Sequence, residues 1–205
     1  KSLGTVFREE IAGPLGADFW IGLPASEDAR VADLIPPEAG LGAADDPNSM
    51  SARTFRTPKL TGHEPKTRAW RAAEIPAAGG IGNARSIAEI QTVLANGGVS
   101  KGKRIMSEAG ARRALEMQIE GTDLVFNGPM KFGLGYGLPG AAFPVPHPDA
   151  TCFWGGWGGS LVLIDMEARL CLAYAMNKMA NTTTGDMRAF HMILPMFQAL
   201  QAKAA

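Results

Sequence analysis

Apolar residues recur at helical spacing in four parts of the chain and with strand character in three others. Residues 2–13 (SLGTVFREEIAG) set Leu3, Val6, Phe7 and Ile11 on one face, the pattern of an amphipathic helix, with Ser2 as N-cap and Gly13-Pro14 as stop. From Asp18 to about Trp70 the periodicity fails, and Pro, Gly, Asp and Ser break the chain into short apolar pieces such as FWIGLP and VADLIPP. A stretch of that length inside a compact domain is expected to carry short helical turns and to wrap over a surface supplied by something else. Helical spacing returns with Ile87, Ile90, Val93 and Leu94, capped by Ser86 and ended by Gly97-Gly98. A further helix is predicted from Ser107 to about Met117. Residues 131–140 (KFGLGYGLPG), 151–164 and 168–178 read as three strands, the last two joined by a turn near Met166-Glu167. The final helix, Asp186 to about Lys203, places Met187, Phe190, Ile193, Leu194, Phe197 and Leu200 inward, and Pro195 is expected to kink or split it.

This order predicts an α+β fold, with residues 1–130 as a helical and loop region and residues 131–205 as an antiparallel meander followed by a helix. A three-strand meander leaves open edges, and its apolar runs 160–164 and 170–176 need cover on both faces. One helix covers one face, so the other face and one edge imply a missing partner. A helix that begins almost at Lys1 reads as a cut edge.

Composition narrows the class of function. Twenty basic and twenty acidic residues give no net charge, which offers neither a nucleic acid nor a membrane surface any electrostatic support. The longest apolar runs are too short to cross a bilayer, and no signal-peptide pattern opens the chain. Cys152 and Cys171 fall in neighbouring strands, where reduced, buried thiols are favoured over a disulfide. His63, His147 and His191 are too scattered for a zinc site, and no cofactor motif is present.

Candidate chemistry is sparse. No Gly-x-Ser-x-Gly elbow occurs, and Ser100-x-x-Lys103 lies in NGGVSKGKR, where glycine punctuation favours a solvated loop over a helical nucleophile–base pair. His63 and His147 read as loop residues, His191 as a packed helix residue, and Asp149 and Asp165 as isolated carboxylates. The informative run is CFWGGWGGSLVLID (152–165), which sets bare glycine backbone among tryptophans at a strand start. It supports two readings equally: backbone N–H groups presented to an acyl oxygen, or a β-bulge or tight bend with packed rings.

Four stretches in this order resemble the C-terminal half of the β-lactamase-like serine hydrolases, above all the family VIII carboxylesterases: residues 2–24, 70–98, 131–140 and 153–179. The resemblance implies the C-terminal portion of a single β-lactamase/penicillin-binding-protein-like domain. In that family a helical Ser-x-x-Lys supplies nucleophile and base, and a Tyr-x-Asn-type motif shuttles protons; both would lie on an upstream part that is the expected partner of this chain. Tyr136 and Tyr174 do not substitute for that tyrosine, and Tyr174 is expected to pack.

The third motif of the family, Trp-Gly-Gly in many of the esterases, matches Trp154-Gly155-Gly156. By that match the backbone N–H of Trp157 is one oxyanion donor, and Trp154, Gly155 and Gly156 form the substrate-binding wall. A small ester is the implied substrate, in a bacterial cytoplasm, with the chain alone inactive. A β-lactamase, D-aminopeptidase or transpeptidase-like enzyme, or a non-catalytic binding module, are the alternatives. Ten methionines and the prolines Pro139, Pro144, Pro146 and Pro148 suggest an adaptable apolar pocket rim.

Overall fold

The computed structural model describes residues 1–38, 40, 46–141 and 143–204. The chain opens with α1 (Leu3–Phe7), a π-helical turn (Arg8–Ala12) and α2 (Gly13–Leu15), which follow one another without a break. Ser2 caps the start, its hydroxyl accepting from the Thr5 amide at 3.3 Å. The expected stop at Gly13-Pro14 is displaced to Gly16, at φ +63°. A proline ring collides with the carbonyl four residues back in an α-helix, and the wider π-turn just before Pro14 opens that spacing. Gly16 then closes the helix in a Schellman motif, its amide donating to Gly13 O (3.0 Å) and that of Ala17 to Ala12 O (2.8 Å). Phe7 and Ile11 pack against Leu15 and Val93, whereas Leu3 and Val6 of the expected stripe are 45% and 40% exposed.

Next come β1 (Phe19–Ile21), a 3-10 turn (Ala25–Arg30), α3 (Met50–Arg56), a 3-10 turn (Glu64–Lys66), α4 (Arg68–Ala72) and β2 (Gly80–Gly82), which pairs with β1. The irregular region is therefore made of short turns, as its sequence indicates, but the surface it wraps belongs largely to this chain. Ile35 donates to Asn177 O and accepts from the Met179 amide, at 2.8 and 2.9 Å, and Arg68 and Arg71 both reach Asp28.

The long helix α5 (Ala84–Ala95) is capped by Asn83, not Ser86: Asn83 Oδ1 accepts from the Ser86 amide at 3.0 Å. Ser86 is buried instead, its hydroxyl accepting from the Asp18 amide. Gly97 and Gly98, both at positive φ, end the helix. A hairpin of β3 (Val99–Ser100) and β4 (Lys103–Arg104) follows, then α6 (Glu108–Arg112) under its Ser107 cap.

The remaining strands are β5 (Ile119–Asp123), β6 (Gly128–Phe132), β7 (Thr151–Gly155), β8 (Leu161–Asp165) and β9 (Leu170–Tyr174), and α7 (Met187–Ala204) completes the chain. The β5–β6 hairpin, not foreseen from the sequence, straddles residue 130. Segment 131–140 is not one strand; β6 ends at Phe132, and Gly137 alone bridges Phe132 to Phe153. Nor is 151–164 one strand. Residues 156–160 fold it into the β7–β8 hairpin, and β7-β8-β9 form the antiparallel meander.

Both faces of that meander are covered from within the chain, which corrects the expected missing cover. Cys152, Val162 and Ile164 meet Leu94 and Ala95 of α5 together with Ala111 and Ala114 on one side. Leu161 and Leu163 meet Ala189, Ile193 and Phe197 of α7 on the other. β8 is the innermost strand, buried at all its positions, and among the described residues β9 pairs only with β8. The arrangement is a helix–sheet–helix stack, an α+β fold. Helix α7 runs through Pro195 as one element, and its buried stripe is narrower than expected: Met187 and Leu194 are 61% and 65% exposed. His191 is exposed rather than packed. Among the described residues no helix is long and apolar enough to cross a membrane.

Candidate active site

The corner between β7 and β8 is built by glycines because other chain segments press against it. At Gly155 a Cβ would overlap the backbone of Thr184 and Gly185. Gly158 and Gly159 lie at φ +99° and +114°, which L-residues adopt at a cost. The corner is then pinned from both sides. Gly158 N donates to Thr182 O at 2.9 Å, Ala180 N donates to Gly158 O at 2.8 Å, and Arg188 Nη2 donates to the same carbonyl at 2.8 Å. Asp186, paired with Arg188, fixes that guanidinium, and its pKa is lowered from the ordinary value chiefly by the Arg188 hydrogen bond.

Inside this frame Gly156 N donates to Ser160 O at 2.9 Å and Gly159 N to Gly156 O at 3.1 Å, so the turn satisfies itself on either side of Trp157. The Trp157 N–H donates to no acceptor among the described residues. It is not absorbed into the ladder, and its residue lies on the wall of a cavity of about 380 Å³ together with Gly156 and Ser160. The Trp157 ring is a second unsatisfied donor, since its buried Nε1 has no partner among the described residues.

The rest of the wall comes from the irregular region. Leu34, Leu60, Pro65 and Trp70 line it, joined by Pro76 and Met179, and Glu64 contributes a carboxylate. None of these was foreseen: the segment lacks periodicity, and the only local signal was Thr61-Gly62-x-Glu64, a turn whose acidic residue folds back on its own amides. The prolines that reach the wall are Pro65 and Pro76, not the predicted Pro139, Pro144, Pro146 and Pro148. Segment 143–147 instead covers the α7 side of the sheet, with the Phe143 ring 4.6 Å from that of Phe153 and 5.2 Å from that of Phe190.

Of the four residues singled out in the sequence, the fold brings Gly156 and Trp157 to the cavity wall and sets Gly155 in the strand leading to it. Trp154 is elsewhere. Its ring sits between Phe126 (6.2 Å) and Phe132 (5.6 Å), and it does not line this cavity.

The other titratable groups are accounted for structurally. Ser100 and Lys103 face each other across a hairpin turn, and the buried Ser100 hydroxyl donates to Glu89 O at 3.0 Å. Tyr136 donates to Gln91 Oε1 at 2.7 Å, and burial pushes its pKa up to about 12; Tyr174 packs on the α7 side of the sheet. Asp165 is not isolated. Fully buried, it accepts from the Glu167 and Ala168 amides and meets His147 Nδ1 at 2.8 Å, which ties the 147 loop to the end of β8. Cys152 and Cys171 are free and stand on β7 and β9, one on each side of Ile164 of β8. Burial raises their pKa values to about 12 and about 11. Among the described residues no group of His, Cys, Asp and Glu is arranged to hold a metal ion.

A helix–sheet–helix stack with a glycine corner, one of whose amides is left unpaired among the described residues, is an α+β arrangement. The sequence model of the Beta-lactamase family matches residues 1–194, and the chain belongs to that family. Its fold is that of a solved family VIII carboxylesterase, with 40% identity and a TM-score of 0.86 over 97% of this chain and 52% of the other. A penicillin-binding protein homologue from Caulobacter crescentus superposes with a TM-score of 0.80 at 34% identity, over 94% of this chain and 51% of the other. Among curated proteins, the Esterase/beta-lactamase LipL of Mycobacterium tuberculosis is 29% identical over 204 residues, 87% of this chain and 44% of LipL. The chain thus spans about half the length of the relatives it matches.

Proposed function

We propose that this chain is the oxyanion-side half of a serine carboxylesterase acting on small esters through an acyl-enzyme. The observation that carries the reading is that the Trp157 amide is unpaired among the described residues while its residue lines a largely apolar cavity. A developing oxyanion is stabilised by backbone donors already fixed in place, and one such donor is worth about 3–4 kcal/mol of transition-state energy. The hydrogen bonds to both sides of Gly158 provide that fixing.

The nucleophile and its base, a Ser-x-x-Lys pair, and a tyrosine proton shuttle belong to an upstream part of the protein. The serine hydroxyl attacks the ester carbonyl, the alcohol leaves with a proton, and water then releases the acid and regenerates the serine. That upstream part also supplies a partner for the free edge of β9. A cytoplasmic setting fits two thiols held apart by a strand.

Hydrolysis of p-nitrophenyl acetate by the complete protein tests the reading. Turnover is expected there and none above background from residues 1–205 alone; an acylated residue inside 1–205 during steady hydrolysis would refute it. The second reading, a β-lactamase or transpeptidase-like enzyme, is favoured by the name of LipL and by the penicillin-binding protein homologue. Against it, among the described residues this side of the cavity carries no Lys, Arg or His to receive a substrate carboxylate. Nitrocefin turnover faster than ester turnover would decide for it.

A further inference from the structure

We infer that Glu64 makes the cleft selective for esters that are neutral or positively charged and unreceptive to those bearing a carboxylate. The inference rests on the esterase reading above and deepens it. Glu64 heads a single 3-10 turn beside Gly62, and its carboxylate is held by three donors of its own loop. Oε1 accepts from the Thr61 amide and from the Thr61 hydroxyl, each at 2.8 Å, and Oε2 accepts from the Gly62 amide at 2.8 Å. All three donors are neutral. They fix the charge in place without cancelling it, and among the described residues no cation pairs with Glu64.

Burial alone would raise the Glu64 pKa, but the backbone and hydroxyl hydrogen bonds outweigh it and hold the group below its ordinary value. The carboxylate therefore stays ionised wherever an esterase would be assayed. Among the described residues the wall carries no cationic side chain, so on this half of the cleft the negative charge of Glu64 has no cation beside it. A cleft with apolar walls strengthens the effect of such a charge on a bound ion. The rings of Trp70 and Trp157 on the same wall add surfaces that attract a quaternary ammonium group and offer a carboxylate nothing. Glu64 also opposes the oxyanion of every ester alike, so the ratio between substrates reports its action and the absolute rate does not.

The test uses the complete protein, with its nucleophile-bearing part, and three acetate esters: 3-(trimethylammonio)phenyl acetate, its uncharged tert-butyl isostere, and 3-carboxyphenyl acetate. The cationic ester is expected to exceed the anionic one in kcat/KM by roughly tenfold or more at low salt. Glu64→Gln should bring the ratio down severalfold while the neutral ester is still hydrolysed. Should that variant fold poorly, the wild-type ratio at 1 M NaCl gives the answer, because screening should collapse it. Neutral ester hydrolysed with a cation-to-anion ratio near one, or a ratio indifferent to salt, overturns the role of Glu64 and leaves the esterase intact. No hydrolysis of any of the three overturns the esterase reading and this inference with it.

Discussion

The glycine corner separates two costs that a single methyl group can report. In Gly158→Ala the new Cβ must be carried at φ +99°, and it would stand 2.6 Å from Met176 Cε and 2.8 Å from Met179 Cγ. Holding a non-glycine residue in that region costs about 1–3 kcal/mol. Met176 Cε is the end of a flexible side chain and moves cheaply, but Met179 is 6% exposed and its Cγ lies near the backbone, which adds about 1–2 kcal/mol of overpacking. A total near 3 kcal/mol, with a urea slope of about 2 kcal/mol/M for a chain of this size, lowers the unfolding midpoint by about 1.5 M. Gly156→Ala differs in kind. Its φ is not left-handed, and its Cβ meets only Ser160 Oγ, at 2.7 Å, a hydroxyl that turns aside. Its stability loss should stay under about 1 kcal/mol, yet the methyl stands beside the Trp157 amide and should lower esterase kcat/KM of the complete protein by at least tenfold. Urea unfolding followed by tryptophan fluorescence measures the first variant, and p-nitrophenyl acetate kinetics the second. Midpoints for Gly158→Ala and wild type within about 0.3 M of each other would show that this corner is not built as described.

Three further outcomes follow from groups outside the cleft. The hydrogen bond to Asp165, opposed by partial burial, raises the His147 pKa above its ordinary value of about 6.5, so its stabilisation is complete below that pH and fades as pH climbs through the raised value. For a ring one-third exposed it is worth about 1 kcal/mol, and the melting gap between wild type and His147→Gln should be about 2–4 °C near pH 5.5 and shrink by pH 9; a gap that widens with pH contradicts the assignment. Ser100→Ala should cost about 1 kcal/mol through its lost bond to Glu89 O, and Lys103→Ala almost nothing, with ester hydrolysis by the complete protein unchanged in both; loss of activity on either would revive that pair as chemistry. Cys152, fully buried, should react with a disulfide-type thiol reagent only as fast as the chain unfolds, and the partly exposed Cys171 should react first, which a comparison of native and urea-unfolded labelling measures.

How much of this was legible depends on whether a residue's role is local. Ser2, Ser107 and Gly97-Gly98 announce helix ends because capping is settled within four residues. Asn83 was passed over for Ser86 because both are good caps, and only the buried contact of Ser86 with the Asp18 amide, 68 residues away in sequence, decides between them. The same holds for His147 and Asp165, and for Leu194 of α7, whose apolar side chain faces outward while Ile193 beside it is buried. Splitting 151–164 into two strands could have been read from Gly155-Gly156 and Gly158-Gly159. Glycine pairs three residues apart suit a reversal better than a continuous ladder.

The corner also shows why the two readings of the run 152–165 are compatible: the fold has the tight bend, and the bend leaves one N–H unpaired among the described residues. A tight bend and an amide offered to a ligand were weighed as alternatives, but a reversal of the chain is what removes an N–H from ladder pairing. Between Gly156 N, spent on Ser160 O, and Gly158 N, spent on Thr182 O, the intervening Trp157 amide has no strand opposite it. Any residue except proline at position 157 would leave its N–H unpaired in this way. What the sequence could not supply was the opposite wall. Leu34, Leu60, Glu64 and Trp70 reach the cavity through the bridge of Ile35 to residues 177–179 and through the Arg68 and Arg71 contacts with Asp28, all of them pairings of distant residues. The proposed donor side of the cleft is written in one glycine-rich run and the opposite wall in tertiary contacts. On the esterase proposal, changing the charge or size of the irregular wall should therefore alter which ester is accepted without disturbing the Trp157 amide.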